Sequence, residues 1–290
     1  MHHLSSSSAV NSSKSPVPQQ TAKRFRSPLR YPGGKQKAIE QIGEMFPPYA
    51  FEYREPMVGG GSVYLHARSI QLAKKYWIND KFKELVSFWN SVQDPGTCSQ
   101  LAESLHVLKS GFSSAEEIKK YFLAARIEEP VDAFRQAFLF FFFNRVTFSG
   151  TTCAGGFSSS ASLKRFTTSS IDRLLPLVNA LKDTRITELD FGEVIAAPGK
   201  DVFIFLDPPY YTASKLYGRN GRLHGFDHEG LASLLKVTPH KFLITYDDCP
   251  EIRQLYQWAS IVPWQLQYGM NNCNAEHQSK VGNEIFILNY

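Results

Sequence analysis

The feature that most constrains the fold is an alternation of short apolar runs with stretches of helical periodicity, which begins near Ser27. The runs have the length and residue types of β-strands. They occupy residues 51–57, 75–78, 185–189, 201–206, 241–245, 261–266 and 284–288. Strands that alternate with helices are typical of a parallel sheet covered by helices, and the last two runs have no helical pattern between them. The sequence therefore predicts an α/β fold with a mainly parallel sheet and an antiparallel hairpin at one edge.

Changes in composition divide the chain into segments. Residues 1–26 are polar, rich in serine and free of acidic residues, which predicts a disordered basic arm. Strand signals stop between residues 94 and 173, where two helical patterns precede a stretch rich in Ser, Thr and Gly. We interpret this segment as a mostly helical inserted domain. The predicted domains are the arm 1–26, a first α/β part 27–93, the insertion 94–173 and a second α/β part 174–290.

Positive charge is local in this chain. The five basic residues among the first 30 account for the whole net charge of +5, so the remainder is neutral overall. Two later stretches contain basic but no acidic residues. The first holds Arg145, Lys164 and Arg165, and the second holds Lys215, Arg219 and Arg222. A partner with negative charge would therefore meet local patches instead of a uniformly basic surface.

Several classes of protein are disfavoured. The longest purely apolar run, residues 137–143, is far too short to span a bilayer, and no secretory apolar segment is present. The cysteines at positions 98, 153, 249 and 273 lie far apart, without the spacing of a zinc site or a disulfide framework. We expect a cytoplasmic protein with no metal and no membrane partner, in which the cysteines are small buried hydrophobic residues.

The stretch F-L-D-P-P-Y-Y at residues 205–211 follows an apolar strand and carries groups suited to amine chemistry. The exocyclic amine of adenine is a poor nucleophile because its lone pair is delocalised into the ring. Asp207 and the carbonyl of Pro208 could accept its two N–H bonds, since Pro209 has no N–H of its own. Tyr210 could stack on a base that has left the duplex, which is worth about 1–3 kcal/mol per base. The stretch indicates a pocket for a flipped base that accepts a methyl group.

Two further loops are predicted to meet this one at the carboxyl edge of the sheet, where ligands of open α/β sheets bind. The first, E-P-M-V-G-G-G-S at residues 55–62, contains glycines that permit close approach of a ligand to the backbone. The second contains Asp80, which is placed to accept hydrogen bonds from ribose hydroxyls. An aspartate at a strand end also serves commonly as a helix cap, so neither loop is decisive alone.

Six motifs occur together in a fixed order. They are R-Y-P-G-G-K (30–35), R-E-P-M-V-G-G-G-S-V-Y-L (54–65), I-N-D (78–80), F-N-R-V-T-F-S-G (143–150), L-D-F (189–191) and D-P-P-Y (207–210). In these motifs and their order the chain resembles the Dam-like, D12 class N6-adenine-specific DNA methyltransferases, over nearly everything after residue 26. The resemblance implies a Rossmann-like S-adenosylmethionine-dependent methyltransferase fold with an inserted target-recognition domain. It also implies site-specific transfer of a methyl group to the N6 amine of a flipped adenine in duplex DNA.

The resemblance further implies particular residues at each site. With S-adenosylmethionine as the donor, Lys35 would face the donor's carboxylate, Asp80 would hold its ribose, and Phe191 would stack on its adenine. The residues implied for donor binding are Tyr31, Lys35, Glu55, Pro56, Gly59, Gly60, Gly61, Ser62, Asp80, Asp190, Phe191 and Asp207. The residues implied for catalysis are Asp207, Pro208, Pro209 and Tyr210.

For DNA, the resemblance implies contacts from the inserted segment. Arg145 would clamp a phosphate and Phe148 would place a ring near the base stack, with Ser149, Lys164 and Arg165 beside them. Family members that read GATC carry an arginine soon after the position of Gly150, whereas this chain has T-T-C-A-G-G at residues 151–156. Without that arginine a GATC site is not expected. The recognised sequence stays open.

Other functions remain as alternatives. N4-cytosine methylation uses the same amine chemistry, but those enzymes usually carry serine in place of Asp207. Methylation of RNA would use the same pocket. A catalytically silent DNA-binding protein could keep the fold, but the presence of both Asp207 and Lys35 argues against it. A phosphate-binding P-loop at residues 32–35 lacks the required GxxxxGK[ST] spacing. We expect a monomer or a weak dimer that acts on duplex DNA.

Overall fold

The structure is a computed structural model of the chain, and the residues that it describes are 25–212, 225–267 and 281–290. Within these residues a single sheet has seven strands in the order β3-β2-β1-β4-β5-β7-β6. The strands are β1 (Ala50–Glu55), β2 (Ala73–Asn79), β3 (Thr184–Thr187), β4 (Val202–Leu206), β5 (Lys241–Asp247), β6 (Ser260–Gln267) and β7 (Val281–Leu288). The predicted arm, except for Phe25 and Arg26, lies outside the described residues.

Helices cover the sheet and form most of the segment between β2 and β3. The described α-helices are α1 (Ile39–Glu44), α2 (Ser62–Ser69), α3 (Lys83–Gln93), α4 (Pro95–Ser110), α5 (Ala115–Ala125), α6 (Ala133–Val146), α7 (Ser159–Arg165), α8 (Thr168–Asp172), α9 (Leu177–Leu181), α10 (Phe191–Ala196), α11 (His228–Val237) and α12 (Pro250–Leu255). Short 3-10 helices occupy Lys35–Lys37, Phe148–Gly150 and Thr152–Ala154. None of the described helices is both long and apolar enough to cross a membrane.

The pairing of the strands confirms the predicted sheet. Strands β1 to β5 pair in parallel, and β7 pairs antiparallel with both β5 and β6. The predicted edge hairpin is therefore β6 and β7. Strand order reverses between β1 and β4, which are direct neighbours although β2 and β3 lie between them in sequence. Such a switch point leaves a crevice at the carboxyl ends of the strands.

Strand β4 shows how the apolar runs build the core. All five of its residues are buried, as expected for a central strand that is covered on both faces. Phe203 and Phe205 join the aromatic core on one face, while Ile204 and Leu206 join a second core on the other. Because side chains alternate between faces, the run V-F-I-F-L serves both layers at once. The chain after Leu206 emerges at the carboxyl edge of the sheet.

The segment between residues 94 and 173 packs directly on the α/β part. Helix α6 buries the apolar run Phe140–Phe143, and the Phe141 ring stacks on Phe88 of α3 at 5.9 Å between centroids. Cys98 of α4 lies in the same core. It and Cys249 are buried, as predicted, while Cys273 lies outside the described residues. One continuous core thus supports both the sheet and the helical segment.

Candidate active site

The polar residues singled out from the sequence lie at the switch point. Asp207 directly follows β4, Glu55 ends β1, and Asp80 follows β2. Since β1 lies between β2 and β4 in the sheet, the three carboxyl groups follow neighbouring strands at one edge. The chain therefore gathers carboxylates where parallel strands end, as the strand pattern predicts.

Lys35 meets Asp207 across this edge. Its Nζ lies 2.7 Å from Asp207 Oδ1 and 2.9 Å from Oδ2, and it also donates to the carbonyl of Gly33 at 3.1 Å. The Lys35 side chain is only 4% exposed, against 22% for Asp207. Its ammonium group also lies 4.7 Å from the centre of the Tyr210 ring, within range of a cation–π contact. The buried lysine thus contacts both groups that the D-P-P-Y stretch offers.

The loop after β4 is held by residues of the next two strands in the sheet. Thr245 of β5 donates its hydroxyl to Asp207 Oδ1 at 2.8 Å. Asp247, at the end of β5, accepts the backbone N–H groups of Tyr211 and Thr212 at 3.0 Å each. The Tyr210 hydroxyl donates to Glu284 Oε2 of β7 at 2.6 Å. The loop is therefore fixed along residues 207–212 by side chains that the sequence analysis did not assign.

A buried amide joins the loops that follow β1, β2 and β3. Asn79 donates from Nδ2 to the carbonyls of Pro56 and Leu189, at 2.9 and 3.0 Å. Its Oδ1 accepts the Leu189 N–H at 2.8 Å and the Thr187 hydroxyl at 2.7 Å. The side chain is 1% exposed. Asn79 was quoted as part of I-N-D, but nothing in that motif indicated that three loops depend on it.

Asp80 is fixed in place by backbone groups. Its Oδ2 accepts the Gly59 N–H at 2.9 Å and its Oδ1 accepts the Phe82 N–H at 3.0 Å. Burial raises the pKa of Asp80, partly offset by these backbone N–H groups. Each carboxylate oxygen has a second lone pair, so Asp80 can still accept hydroxyl groups of a ligand.

The glycines of the first loop are required by the chain's own aromatic residues. Gly59 and Gly61 have φ angles of +47° and +69°, which favour glycine. A Cβ on Gly59 would lie 2.9 Å from the Tyr31 ring, and one on Gly61 would lie 2.8 Å from the Trp89 ring. Gly60 likewise faces Tyr31 at 2.8 Å. Tyr31 therefore lies against the loop that leads into α2 at Ser62.

Glu55 is an internal carboxyl group of the site. It is 2% exposed and accepts the Tyr53 hydroxyl at 2.5 Å. Burial is the main cause that raises its pKa well above the usual carboxyl range, and the nearby charge of Asp207 adds to the effect. Neighbouring Arg54 is also buried, but it donates to the carbonyls of Val194 and Ala197 beneath the sheet. Arg54 therefore supports the fold, whereas Glu55 lies towards the site.

Asp190 and Phe191 lie at the start of α10, beyond β3. Asp190 caps the helix by accepting the Gly192 N–H at 3.0 Å, and its other oxygen meets the exposed Lys81 at 3.0 Å. The Phe191 ring is partly buried and lies 5.4 Å from the Phe226 ring. Both residues therefore follow β3, and each has a structural contact within the chain.

Comparison with known protein families was made on the same chain. Residues 31–270 match the family model of the D12 class N6 adenine-specific DNA methyltransferases. The chain belongs to this family. The match spans every element that brings Lys35, Asp80 and Asp207 together, and membership implies a methyl donor and a DNA substrate.

Individual relatives support the same assignment. The chain is similar to a DNA N-6-adenine-methyltransferase of Escherichia phage P1, with 30% identity over 244 residues that cover 80% of this chain and 31% of the relative. It is 25% identical to the type II methyltransferase M.CviBI of a Paramecium bursaria Chlorella virus, over 89% of this chain and 95% of that protein. A DNA adenine methylase of Vibrio cholerae is 27% identical over 82% of this chain and 87% of its own length. The phage protein is thus much longer than the shared region.

In this D12-class chain the structure corrects the prediction that Arg145 clamps a phosphate. Its side chain is 5% exposed, and it donates to the carbonyls of Pro28 and Arg165 at 2.7 and 2.9 Å. Burial lowers the pKa of Arg145 to about 9, with a further contribution from the positive charges of Arg30, Arg173 and Arg165. The guanidinium is used to tie α7 and the N-terminal segment to α6. The sequence shows an arginine without acidic neighbours, but it does not show that the arginine is buried.

Asn144, beside Arg145, has a similar structural task. Its side chain exchanges two hydrogen bonds with the backbone of Arg30, at 3.0 and 2.7 Å. Gly150 approaches the same backbone so closely that a Cβ would lie 2.1 Å from the Arg30 carbonyl oxygen. The F-N-R-V-T-F-S-G motif thus fixes the segment at Arg30 that leads to Lys35. The sequence analysis did not predict this role of the motif.

The remaining residues predicted to contact DNA lie on the surface. The Phe148 ring is 66% exposed, and Ser149, Lys164 and Arg165 are exposed as well. Lys215, Arg219 and Arg222 of the second basic stretch lie outside the described residues. Within the described part of the chain, no group of three or more His, Cys, Asp and Glu side chains could hold a metal ion.

Proposed function

We propose that the chain transfers a methyl group from S-adenosylmethionine to the N6 amine of an adenine that has been flipped out of duplex DNA at a specific short site. The observation that carries the proposal is the placement of Asp207. Its carboxylate is fixed at the switch point of the sheet, beside Tyr210 and within a family whose members act on adenine. RNA and N4-cytosine are the competing acceptors.

The catalytic work is assigned to the fixed loop. Asp207 accepts one N–H of the target amine and the carbonyl of Pro208 accepts the other, so that the nitrogen becomes tetrahedral as it attacks. Pro208 and Pro209 hold the loop rigid because the φ of each is restricted by its ring. Tyr210 stacks on the flipped base and replaces part of the stacking lost from the duplex. Catalysis on this proposal consists of positioning and of hydrogen bonding to the amine.

The residues of the opposite half of the edge fit the donor. Asp80 presents a half-buried carboxylate with free lone pairs for the ribose hydroxyls. On this proposal Asp190 and Phe191 receive the adenine of the donor, and residues 55–62 with Tyr31 contact its methionine part. The bound donor supplies an electrophilic methyl group on a sulfonium ion.

We propose that Lys35 changes its ionic partner during the reaction. Its ammonium occupies the two features proposed for the base, the Asp207 carboxylate and the Tyr210 ring. The target amine needs a free lone pair on Asp207, and Thr245 already uses one on Oδ1. We infer that Lys35 turns from Asp207 to the negatively charged carboxylate of the donor before the base enters. Charge pairing between a lysine and a carboxylate supports either position.

Target recognition is assigned to the helical segment, residues 94–173, between the two parts of the catalytic domain. Phe148 and Ser149 form an exposed tip after Thr147, whose carbonyl accepts the Arg30 side chain, and the exposed Lys164 and Arg165 lie on α7. Exposed basic side chains suit phosphate contacts, which position a protein without reading sequence. An exposed aromatic ring at the tip suits a gap in the base stack.

The experiment is incubation of the chain with methyl-labelled S-adenosylmethionine and DNA amplified in vitro, which carries no methylation, followed by digestion to nucleosides. The proposal predicts label in N6-methyladenine, at positions that share one short sequence when the sites are mapped. Label in N4-methylcytosine, or transfer to RNA alone, would assign the chain to a competing acceptor. No transfer to any nucleic acid, with the donor still bound, would favour a silent DNA-binding protein.

A further inference from the structure

Glu284 is an unusual residue for its place in the sheet. It lies on β7 and is 1% exposed, directly before the buried apolar run Ile285–Leu288. Its Oε2 accepts the hydroxyl of Tyr210 at 2.6 Å, across 74 residues of sequence. A buried carboxyl group costs free energy unless its hydrogen bonds compensate, and apolar residues of similar size are often at least as stabilising in such places. The bond to Tyr210 therefore gives this position a use for a glutamate that packing in the sheet does not give.

The register of the strands places Glu284 beside a second carboxylate with a related task. Glu284 lies opposite Asp247 in the β5 and β7 pair. Asp247 accepts the N–H groups of Tyr211 and Thr212, and Thr212 also donates its hydroxyl to Asp247 at 2.5 Å. Neighbouring acidic residues on two strands thus hold three consecutive residues of the loop. Asp247 holds the backbone, and Glu284 holds the end of the aromatic side chain.

We propose that Glu284 is a positioning residue for methyl transfer, because its carboxyl group holds the far end of the Tyr210 side chain and so fixes the place of the ring on which the target base stacks. This proposal rests on the proposed function. A tyrosine side chain can adopt three staggered rotamers about the bond between Cα and Cβ, and the hydrogen bond at the hydroxyl retains the one that places the ring beside Asp207. The ring held in this place lies 4.7 Å from the Lys35 ammonium. A stacked base must be held near the geometry of attack for efficient transfer, and small misplacements lower the rate strongly.

The test compares stability with kinetics in Glu284→Met and Glu284→Gln. Methyl transfer is measured with labelled S-adenosylmethionine and unmethylated amplified DNA, and thermal unfolding is measured on the same preparations. The proposal predicts that Glu284→Met lowers kcat about tenfold, the scale of one lost hydrogen bond to a carboxylate, at a temperature where the unfolding curve shows the variant to be fully folded. Glu284→Gln keeps an acceptor, so its kcat should stay within about threefold of the unsubstituted chain.

The pair is tested by adding Tyr210→Phe. Because the two side chains act through one hydrogen bond, Tyr210→Phe combined with Glu284→Met should be no slower than the slower single variant. Tyr64→Phe is the matched control, since the Tyr64 hydroxyl is also buried and bonded, to Ala180 and Thr184, neither of which is assigned to the site. It should lower Tm and leave kcat unchanged.

Three results would overturn the positioning proposal: an unchanged kcat in Glu284→Met, equal losses in the Met and Gln variants, or losses that multiply in the double variant. A fall of kcat that follows a fall of Tm, as a purely structural residue would show, counts against it too. If the unsubstituted chain transfers no methyl group to adenine in DNA, the proposed function fails and the inference fails with it. Failure of the inference alone leaves transfer by the unsubstituted chain intact.

Discussion

The two halves of the carboxyl edge are built in different ways. On the side proposed for the base, the loop at residues 207–212 is held by ionic and hydroxyl groups from other strands, and a lysine sits on its carboxylate. On the side proposed for the donor, the loops after β1, β2 and β3 are joined by the neutral amide of Asn79 and by backbone groups bonded to Asp80. The first side is rich in charged groups that can exchange partners. On the second side, the hydrogen bonds that join the loops are already formed within the chain.

The difference teaches how each side can work. A neutral, fully bonded amide is costly to break, so the donor-side loops keep their shape with or without a ligand. The Asp207 carboxylate is 22% exposed, so another charged or hydrogen-bonding partner can reach it and take the place of Lys35. The loops of the donor half therefore have their final shape before the donor binds. In the base half, the substrates change the contacts of the loop at residues 207–212. The predictions that follow separate these two behaviours.

The largest effect is expected for Asp207→Ala on the base side. Removing the acceptor of the target amine should lower methyl transfer by at least about a thousandfold, while S-adenosylmethionine binding is partly retained. Labelled transfer and calorimetric donor binding measure the two quantities. Asp172→Ala, which changes an exposed aspartate of α8, should leave both unchanged. Transfer close to that of the unsubstituted chain in Asp207→Ala would remove Asp207 from the catalytic set.

On the donor side, Asn79→Ala should act through stability. The substitution leaves buried carbonyls and N–H groups of three loops without a partner, so the free energy of unfolding should fall by about 3 kcal/mol, and donor binding should weaken with it. Denaturant unfolding measures the first change. Asn90→Ala on the exposed face of α3 should change stability by no more than about 0.5 kcal/mol. Equal effects of the two substitutions would show that the loops after β1, β2 and β3 do not depend on Asn79.

Lys35→Met probes the contact between the two halves. Loss of the ammonium should weaken donor binding about 30-fold, which corresponds to about 2 kcal/mol, because one partner of a buried charge pair is removed. Lys37→Met, two residues along the same short helix but exposed, is the matched control and should leave binding unchanged. Unchanged donor affinity in Lys35→Met would show that Lys35 does not bind the donor and contacts only Asp207 and Tyr210.

Phe148→Ala tests whether the exposed tip contacts DNA. Loss of a ring that fills a gap in the base stack should weaken DNA binding about tenfold, and donor binding should not change. Fluorescence anisotropy with a labelled duplex that contains the mapped site measures the change. Leu163→Ala removes another exposed apolar side chain of the same segment and should have no effect. A Phe148→Ala variant with full affinity would place the DNA contacts elsewhere.

The smallest effect concerns the protonation of Glu55. Burial raises its pKa, so the folded chain keeps this proton to a higher pH than the unfolded chain. The stability that Glu55 contributes is then present in full below the ordinary carboxyl pKa and is lost as pH rises through the raised value. Glu55→Gln cannot ionise, so the stability of the unsubstituted chain relative to this variant should fall as pH rises. Denaturant unfolding across the pH range measures it, and a constant difference would contradict the burial argument.

Some parts of this arrangement could be predicted from sequence and others could not. Asp207, Asp80 and Glu55 were predictable because each ends or follows a recognisable strand, and parallel strands bring their carboxyl ends to one edge. The partners of the loop were not, since Glu284 lies 74 residues after Tyr210 and its contact depends on the position of β7 next to β5. Arg145 was predicted to contact DNA, but its side chain is buried. Charge is visible in a sequence, whereas burial depends on how helices pack.

The most direct test of the account is the structure of the chain in complex with an unreactive donor analogue and a duplex containing the mapped site. In the structure, Lys35 Nζ lies 2.7 Å from Asp207 Oδ1. The account predicts a flipped adenine stacked on Tyr210, with its N6 within hydrogen-bonding distance of the Asp207 carboxylate and with Lys35 moved beyond that distance. An adenine bound elsewhere, with the pair of Lys35 and Asp207 intact, would contradict it.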